Sequence, residues 1–286
     1  MWYLVFSILC SVSVGVILKI ARRYFVHIPQ IIGWNYVFAL LCCFIVFSPD
    51  LDEVIIDSSF TIYGLLSILL PSVFVMLAMS IKKIGIVKTD VAQRLSLFIP
   101  ILASYFIFKE EFSNYKVLGL LAGFPAILLI LYKKEERTEK GNWLYPVLVL
   151  FGFGVIDILF KQIALFSTIP YTTSLFIVFT GALLISCLFI LYEIIIRKVK
   201  LKLINLLFGL AVGCFNFGNI LFYLKAHKTF SENPSTVFAG MNIGVIILGT
   251  FAGVLLFKEK INSRNYIGII LAVIAIGLIT LSQIFT

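Results

Sequence analysis

Phe108-Lys109-Glu110-Glu111 and Phe257-Lys258-Glu259-Lys260 are nearly one turn written twice, 149 residues apart (257 − 108). Each closes an apolar run, and each is followed a few residues on by another: Tyr115–Leu131 with Gly119, and Arg264–Thr280 with Gly268. The two glycines fall in step at that same offset, as do Gln93 and Asn242 upstream. Nearer the start of each half, Lys19 pairs with Lys161 at an offset of 142 (161 − 19). Two halves follow, residues 1–140 and 141–286, joined by the charged segment Lys133–Lys140.

What fills the halves is apolar. Of 286 residues, 61% are apolar and 13% charged, against about 45–50% and about 25% in a soluble globular chain. A mean hydropathy of +1.10 makes lipid the solvent for most of these side chains. Runs without Asp, Glu, Lys or Arg cover Met1–Leu18, Tyr24–Pro49, Ser58–Ile81, Leu203–Leu224, Asn233–Phe257 and Asn265–Thr286. A spanning helix needs about 20 residues, so each can cross once. Gln162–Tyr192 is too long for one span, and Ser167-Thr168-Ile169-Pro170 inside it reads as a turn. One helix therefore ends near Leu165 and the next starts near Thr172. Thr89–Phe108, with Asp90 at its mouth and Arg94 within, Val117–Tyr132 and Trp143–Lys161 complete the set. The uncharged start has neither a basic region nor a small-x-small cleavage site, so the first run is expected to stay as a helix.

The expected fold is all-α and integral to the membrane: ten transmembrane helices as two inverted five-helix repeats around a central cavity. The inversion follows from the odd number of helices per half. Inverted repeats let a carrier expose one midplane site to each side in turn; duplication for packing alone is the plainer alternative.

The net charge of +9 is a topology signal rather than the mark of a nucleic-acid partner. Odd-numbered connections hold 17 basic residues: Lys19, Arg22, Arg23, Lys82, Lys83, Lys88, Lys133, Lys134, Arg137, Lys140, Arg197, Lys198, Lys200, Lys202, Lys258, Lys260 and Arg264. Even-numbered connections hold five, Lys109, Lys116, Lys161, Lys225 and Lys228, and the second carries Asp50, Asp52, Glu53 and Asp57. Cytoplasmic loops collect Lys and Arg. The odd connections are thus expected in the cytoplasm, with both termini on the far side of a plasma (inner) membrane.

Ten helices in two halves, each closing with an apolar helix, a short FKE turn and a Gly-bearing last helix, resemble the drug/metabolite transporter superfamily, and the EamA-like family most. The resemblance covers the whole chain, and Ala226–Phe257 is similar to the helix-8-to-9 segment of these carriers. It implies a carrier fold with a central cavity and gives Glu110 and Glu259 the place of the family's recurring turn glutamates. Two departures stand out. Members of this branch usually keep both termini in the cytoplasm, whereas the charge pattern here argues the reverse. The small multidrug-resistance relatives carry a coupling Glu eight residues before a Lys that ends the first helix. Ile8–Lys19 resembles that helix, but the Glu position is Ser11 here and Phe153 in the second half. Export of lipophilic cations by such a carboxylate is not expected.

Few polar groups remain within spans. An Arg near the bilayer centre costs about 2.5–3.5 kcal/mol, so Arg94 reads either as a cavity-facing anchor for a carboxylate or as a residue snorkelling to the interface. Gln93 and its mate Asn242 read as cavity-lining amides. Asp157 and Lys161 are four apart on one helical face. They read as a structural ion pair, or as a protonatable Asp157 poised by Lys161. Asn216, Asn219 and Tyr223 form a polar stripe, wet cavity wall or interhelical glue. Trp34 and Asn35 face it in the second helix, or Trp34 simply packs. Pro100, Gly240, Gly244 and Gly249 mark the fourth and ninth helices as candidate gates, with static packing as the alternative.

No GxxxxGK[ST] loop is present, which argues against ATP-driven transport by this chain. His27 and His227 lie far apart at helix edges, and the five cysteines (Cys10, Cys42, Cys43, Cys187, Cys214) read as buried small apolar residues, so no metal site and no cofactor is expected. The expected function is secondary-active transport of small organic metabolites, amino-acid-like or organic-anion solutes, by alternating access. A membrane channel or lipid-handling protein is the alternative, and an intramembrane enzyme a more distant one. The expected partners are the small-molecule solute and the lipid bilayer, without nucleic acid, and a monomer suffices.

Overall fold

The computed structural model describes residues 2–21, 23–47, 60–84, 86–131, 144–166, 169–258 and 262–282. The chain is all-helical there, in the order α1 Trp2–Ala21, α2 Ile28–Phe47, α3 Phe60–Ile84, α4 Ile86–Leu95, α5 Phe98–Phe106, α6 Asn114–Leu131, α7 Leu144–Phe166, α8 Tyr171–Ile195, α9 Leu203–Thr229, α10 Pro234–Phe257 and α11 Ser263–Ser282. Eight of these, α1, α2, α3 and α7 to α11, are long and apolar enough to cross a membrane. The acidic second connection, Glu259 and the segment Lys133–Lys140 lie outside the described residues.

The fourth run, expected as one helix over Thr89–Phe108, is instead two rods, α4 and α5. The break sits at Ser96 and Leu97, and local hydrogen bonding explains it. Pro100 has no N–H to give the carbonyl of Ser96, which accepts the N–H of Ile99 at 3.0 Å instead. The Ser96 hydroxyl turns back to the Gln93 carbonyl at 2.6 Å, competing with the helical ladder. Pro100 thus lies in the first turn of α5, where a missing N–H is tolerated, rather than kinking a continuous helix.

Glycines set the closest crossings. A Cβ on Gly119 in α6 would stand 3.0 Å from the Ala275 carbonyl oxygen in α11, and one on Gly268 would stand 2.9 Å from that of Ala126. Residues 119, 126 and 130 of α6 thus meet 275, 279 and 268 of α11 as partners exchanged at the 149-residue offset. Gly209 and Gly213 bring α9 as close to α2, with the Asn35 carbonyl oxygen 2.6 Å from a Cβ on Gly213. Gly240 and Gly244 seat α10 on Leu4 and Ile8 of α1.

Count α4 and α5 as one rod, and the packing exchanges when each rod is replaced by the one five places on. α1 packs on α9 and α10, and α7 packs on α3 and the α4–α5 rod. α2 meets α9 as α8 meets α3, while α2 with α8, α5 with α10 and α6 with α11 are self-paired. The turns repeat as well: Lys109 and Lys258 are both left-handed, at φ 55° and 53°. Lys19 stands 4.1 Å from the Phe257 ring centroid and Lys161 stands 6.0 Å from that of Phe108.

Large apolar side chains cover the outside, among them Ile45 and Leu255, each 76% exposed. Such a continuous apolar surface needs lipid. Tyr36, Phe179 and Phe238 fill the interior. Cysteine runs against expectation: Cys187 and Cys214 are exposed, Cys10 and Cys42 half-buried, and only Cys43 is buried. An apolar residue of a membrane helix is as well placed against lipid as inside, so hydropathy alone does not choose its face.

Candidate functional site

The break between α4 and α5 opens onto a cavity of ≈ 140 Å³ lined by α1, α3, α4, α7, α9 and α10. These are the first, third and fourth rods of each half. Matching positions share its wall: Leu70 with Asn219, Phe74 with Tyr223, Gln93 with Asn242, and Ser96 with Val245, all at offset 149. Positions 149 residues apart thus meet at one cavity, with chemistry that differs between the members of each pair. α3 supplies Leu70, Val73 and Phe74 where α9 supplies Asn216, Asn219 and Tyr223. One side is apolar and aromatic, the other carries amides and a phenol.

Seven of the ten residues expected at the cavity line it: Gln93, Arg94, Asp157, Asn216, Asn219, Tyr223 and Asn242. Arg94 closes α4, one residue from the break, rather than standing early in a long helix. Asp157 accepts the Tyr223 hydroxyl at 2.8 Å. Ser7 donates to the Asn219 side-chain oxygen at 2.9 Å and fixes that amide from α1. Asn242 donates to the Phe238 carbonyl of its own helix at 3.1 Å.

Three expected residues do not reach the wall. Asn35 stands one layer behind and accepts the Asn216 amide at 3.1 Å, orienting it. Trp34 packs beneath Gly209 at the α2–α9 crossing, with its ring 6.3 Å from that of Phe38. Lys161 is fully buried but does not pair with Asp157. It donates to the carbonyls of Ser231 at 2.8 Å and His227 at 3.4 Å, at the C-terminal end of α9. Those last carbonyls lack helical donors, and an ammonium satisfies them well. The spacing of four put both groups on one face, but the neighbouring helix end competes for the lysine.

Of the expected gating residues, Pro100 follows the break directly. Gly240 and Gly244 face α1, while Met241, Asn242 and Val245 on the adjoining face of α10 line the cavity. Gly249 has no atom within 4 Å of where its Cβ would stand.

A second polar cluster was not legible as such. Glu110, in the first FKE turn, accepts Lys116 at 2.7 Å and the Ser235 hydroxyl at 2.6 Å on Oε1, and the Ser235 backbone N–H at 2.9 Å on Oε2. Lys116 also donates to Asn233 at 2.8 Å. Both charged side chains are 1% exposed. Lys116, counted with the basic residues of connections, is thus buried in a clasp that ties the α5–α6 turn to the start of α10. His227 stands in the last turn of α9, at the helix end as expected. It is fully buried, its ring 4.6 Å from that of Tyr223 and 4.7 Å from that of Phe238, and neither ring nitrogen has a hydrogen-bond partner among the described residues. Ser11, Ser96, Phe153, Ile156, Phe160, Ile220 and Met241 complete the cavity and are not among the expected site residues. Their repeat positions, read against Gln93 and Asn242, were the signal available for Ser96.

Residues 1–132 match the model of the EamA-like transporter family. A protein of Haemophilus influenzae described as uncharacterized is 42% identical over 282 residues, covering 96% of this chain and 95% of its own. A crystal structure of a protein 13% identical superposes on 98% of this chain and 96% of its own with a TM-score of 0.79, a likeness of fold. This multi-pass membrane protein belongs to the EamA-like transporter family, part of the drug/metabolite transporter superfamily.

Proposed function

We propose that the chain is a secondary-active carrier of small zwitterionic or anionic organic metabolites, working by alternating access. The observation that carries this reading is the cavity. It sits where the same three rods of each half meet, and it sets Arg94 and Asp157 among amides opposite an aromatic wall. Its volume, ≈ 140 Å³, is below the about 300–1,000 Å³ of pockets for drug-sized ligands, which favours a small solute. Arg94 would take the solute carboxylate, and Gln93, Asn219 and Asn242 its other polar groups. Phe74 and Phe153 would cover its apolar part.

The two halves, residues 1–140 and 141–286, act as inverted repeats. The exchanged packing of α6 with α11 and of α1 with α7 supports this. We take the Glu110 clasp as the closure of one end, since Lys161, one turn from the cavity's Asp157, bonds Ser231 in the α9–α10 turn beside the Ser235 that the clasp holds. Its repeat counterpart lacks the same chemistry, since Asn265 stands in the place of Lys116 and Ile86 in that of Ser235. From the charge pattern, the clasp end is non-cytoplasmic and both termini lie on that side of the inner membrane.

Purified protein in liposomes, preloaded with unlabelled amino acids and organic anions, tests the reading by counterflow. Saturable exchange of a labelled solute is expected, with Arg94→Ala lowering it at least tenfold. Flux that never saturates would contradict the carrier, and unimpaired exchange by Arg94→Ala would remove the anchor.

A further inference from the structure

We propose that Asp157 is the binding site of a coupling proton, which the cavity takes up together with an anionic solute. The inference rests on the carrier reading above. Asp157 is the one carboxylate lining the cavity among the described residues. Lys161, one turn along α7, gives its protons to the carbonyls of Ser231 and His227 and leaves the carboxylate to Tyr223.

Around Asp157 stand Tyr223, which has the buried His227 against its ring a turn further on α9, Arg94 on the same cavity wall from α4, and Lys161 on its own helix. Neither α3, α5 nor α8 brings a titratable group to the wall. An anionic solute entering the cavity brings a second negative charge beside the Asp157 carboxylate. One proton from cavity water removes that repulsion, converting the carboxylate to a carboxyl group. Because Tyr223 donates to one oxygen only, the other is left to carry the proton. Binding of proton and anion then reinforce each other, and linkage makes the effect reciprocal.

A metal cation fits less well. Sodium sites in carriers draw on carbonyls freed by unwound helix, whereas α7 runs unbroken from Leu144 to Phe166. The break in α4–α5 does not supply them either, because the Gln93 and Arg94 carbonyls accept Ser96 and Leu97.

Infrared difference spectra of the lipid-reconstituted protein between acid and alkaline pH test the site without any solute. A carboxyl C=O band that titrates in the wild type is expected, lost in Asp157→Asn, restored in Asp157→Glu and shifted in Tyr223→Phe, since Tyr223 positions the group. Persistence of the whole band in Asp157→Asn would overturn the assignment. So would loss of the band on adding sodium chloride at constant pH, which would give the site to that cation. Coupling is read in liposomes supplied with labelled succinate and a labelled amino-acid mixture. An inward proton gradient should drive accumulation, at least tenfold weaker in Asp157→Asn, and a sodium gradient should not. A normal titrating band without saturable counterflow of any probe would fail the carrier reading while leaving the proton site standing.

Discussion

Replacing Glu110 by alanine should open the clasp end of the cavity. The carboxylate holds Lys116 at 2.7 Å and Ser235 through two bonds of 2.6 and 2.9 Å. In Glu110→Ala the ammonium is left with Asn233 alone, at a place where it is 1% exposed. Removing one member of a buried ion pair costs about 3–5 kcal/mol, because the survivor is still desolvated. Opening hands both groups to water, so the loss falls on the closed state. At 1.4 kcal/mol per tenfold, the closed-to-open ratio should fall by about 10²–10⁴. Glu110→Gln keeps the shape and a Ser235 contact, so it should shift the ratio in the same direction by less. The reporter is Ser11→Cys, within the cavity, in a background whose five cysteines are changed to serine. A membrane-impermeant thiol reagent added from the clasp side should label Glu110→Ala faster by up to that factor. An unchanged or slower rate, in protein that still elutes as a single folded species, would refute the clasp as a gate.

Two glycines should behave oppositely on mutation. Gly249→Ala meets open space and should be neutral or gain up to about 1 kcal/mol from helix propensity. Gly268→Ala drives a methyl to 2.7 Å from the Ile130 backbone nitrogen and should lower the thermal midpoint in detergent by several degrees. Equal midpoints would contradict the α6–α11 crossing. Asn265→Ala, which removes bonds of 3.0 and 2.6 Å to the Leu129 and Ile130 carbonyls, should cost about 1 kcal/mol at about 0.6 kcal/mol per interhelical bond. Thermal unfolding in the same detergent measures it. Reporter fusions after residues 54 and 137 check the orientation: an enzyme active outside should work at the first and one active inside at the second. A cytoplasmic signal at the first would reverse the assignment.

The architecture was legible because the bilayer enforces it. Run lengths placed the helices to within a few residues, and the repeat at 149 residues indicated which positions correspond. Seven of the ten expected residues reach the cavity for the same reason: an amide or charge within a span has few places to go other than a wet interior. Three features were hidden, each decided by contacts that no local spacing records. Lys161 stands one turn from Asp157 but answers to the unsatisfied carbonyls ending α9. Trp34 is held where Gly209 allows close approach, a fact of the partner helix. Lys116 lies within two residues of a helix start and looked solvated, yet Glu110, Ser235 and Asn233 converge on it from distant parts of the chain. The break at Ser96 and Leu97 could have been anticipated from Pro100, had its missing bond been counted against the Ser96 carbonyl.

The carrier account depends on the two ends opening in turn. Spin-label pairs at positions 109 and 232 across the clasp end, and at the repeat-related 258 and 83 across the other, report both ends by double electron–electron resonance. The account predicts reciprocal distance changes: conditions that lengthen one pair, such as Glu110→Ala for the first, shorten or leave closed the second. Both pairs long in the same molecules would describe a continuous channel and contradict it.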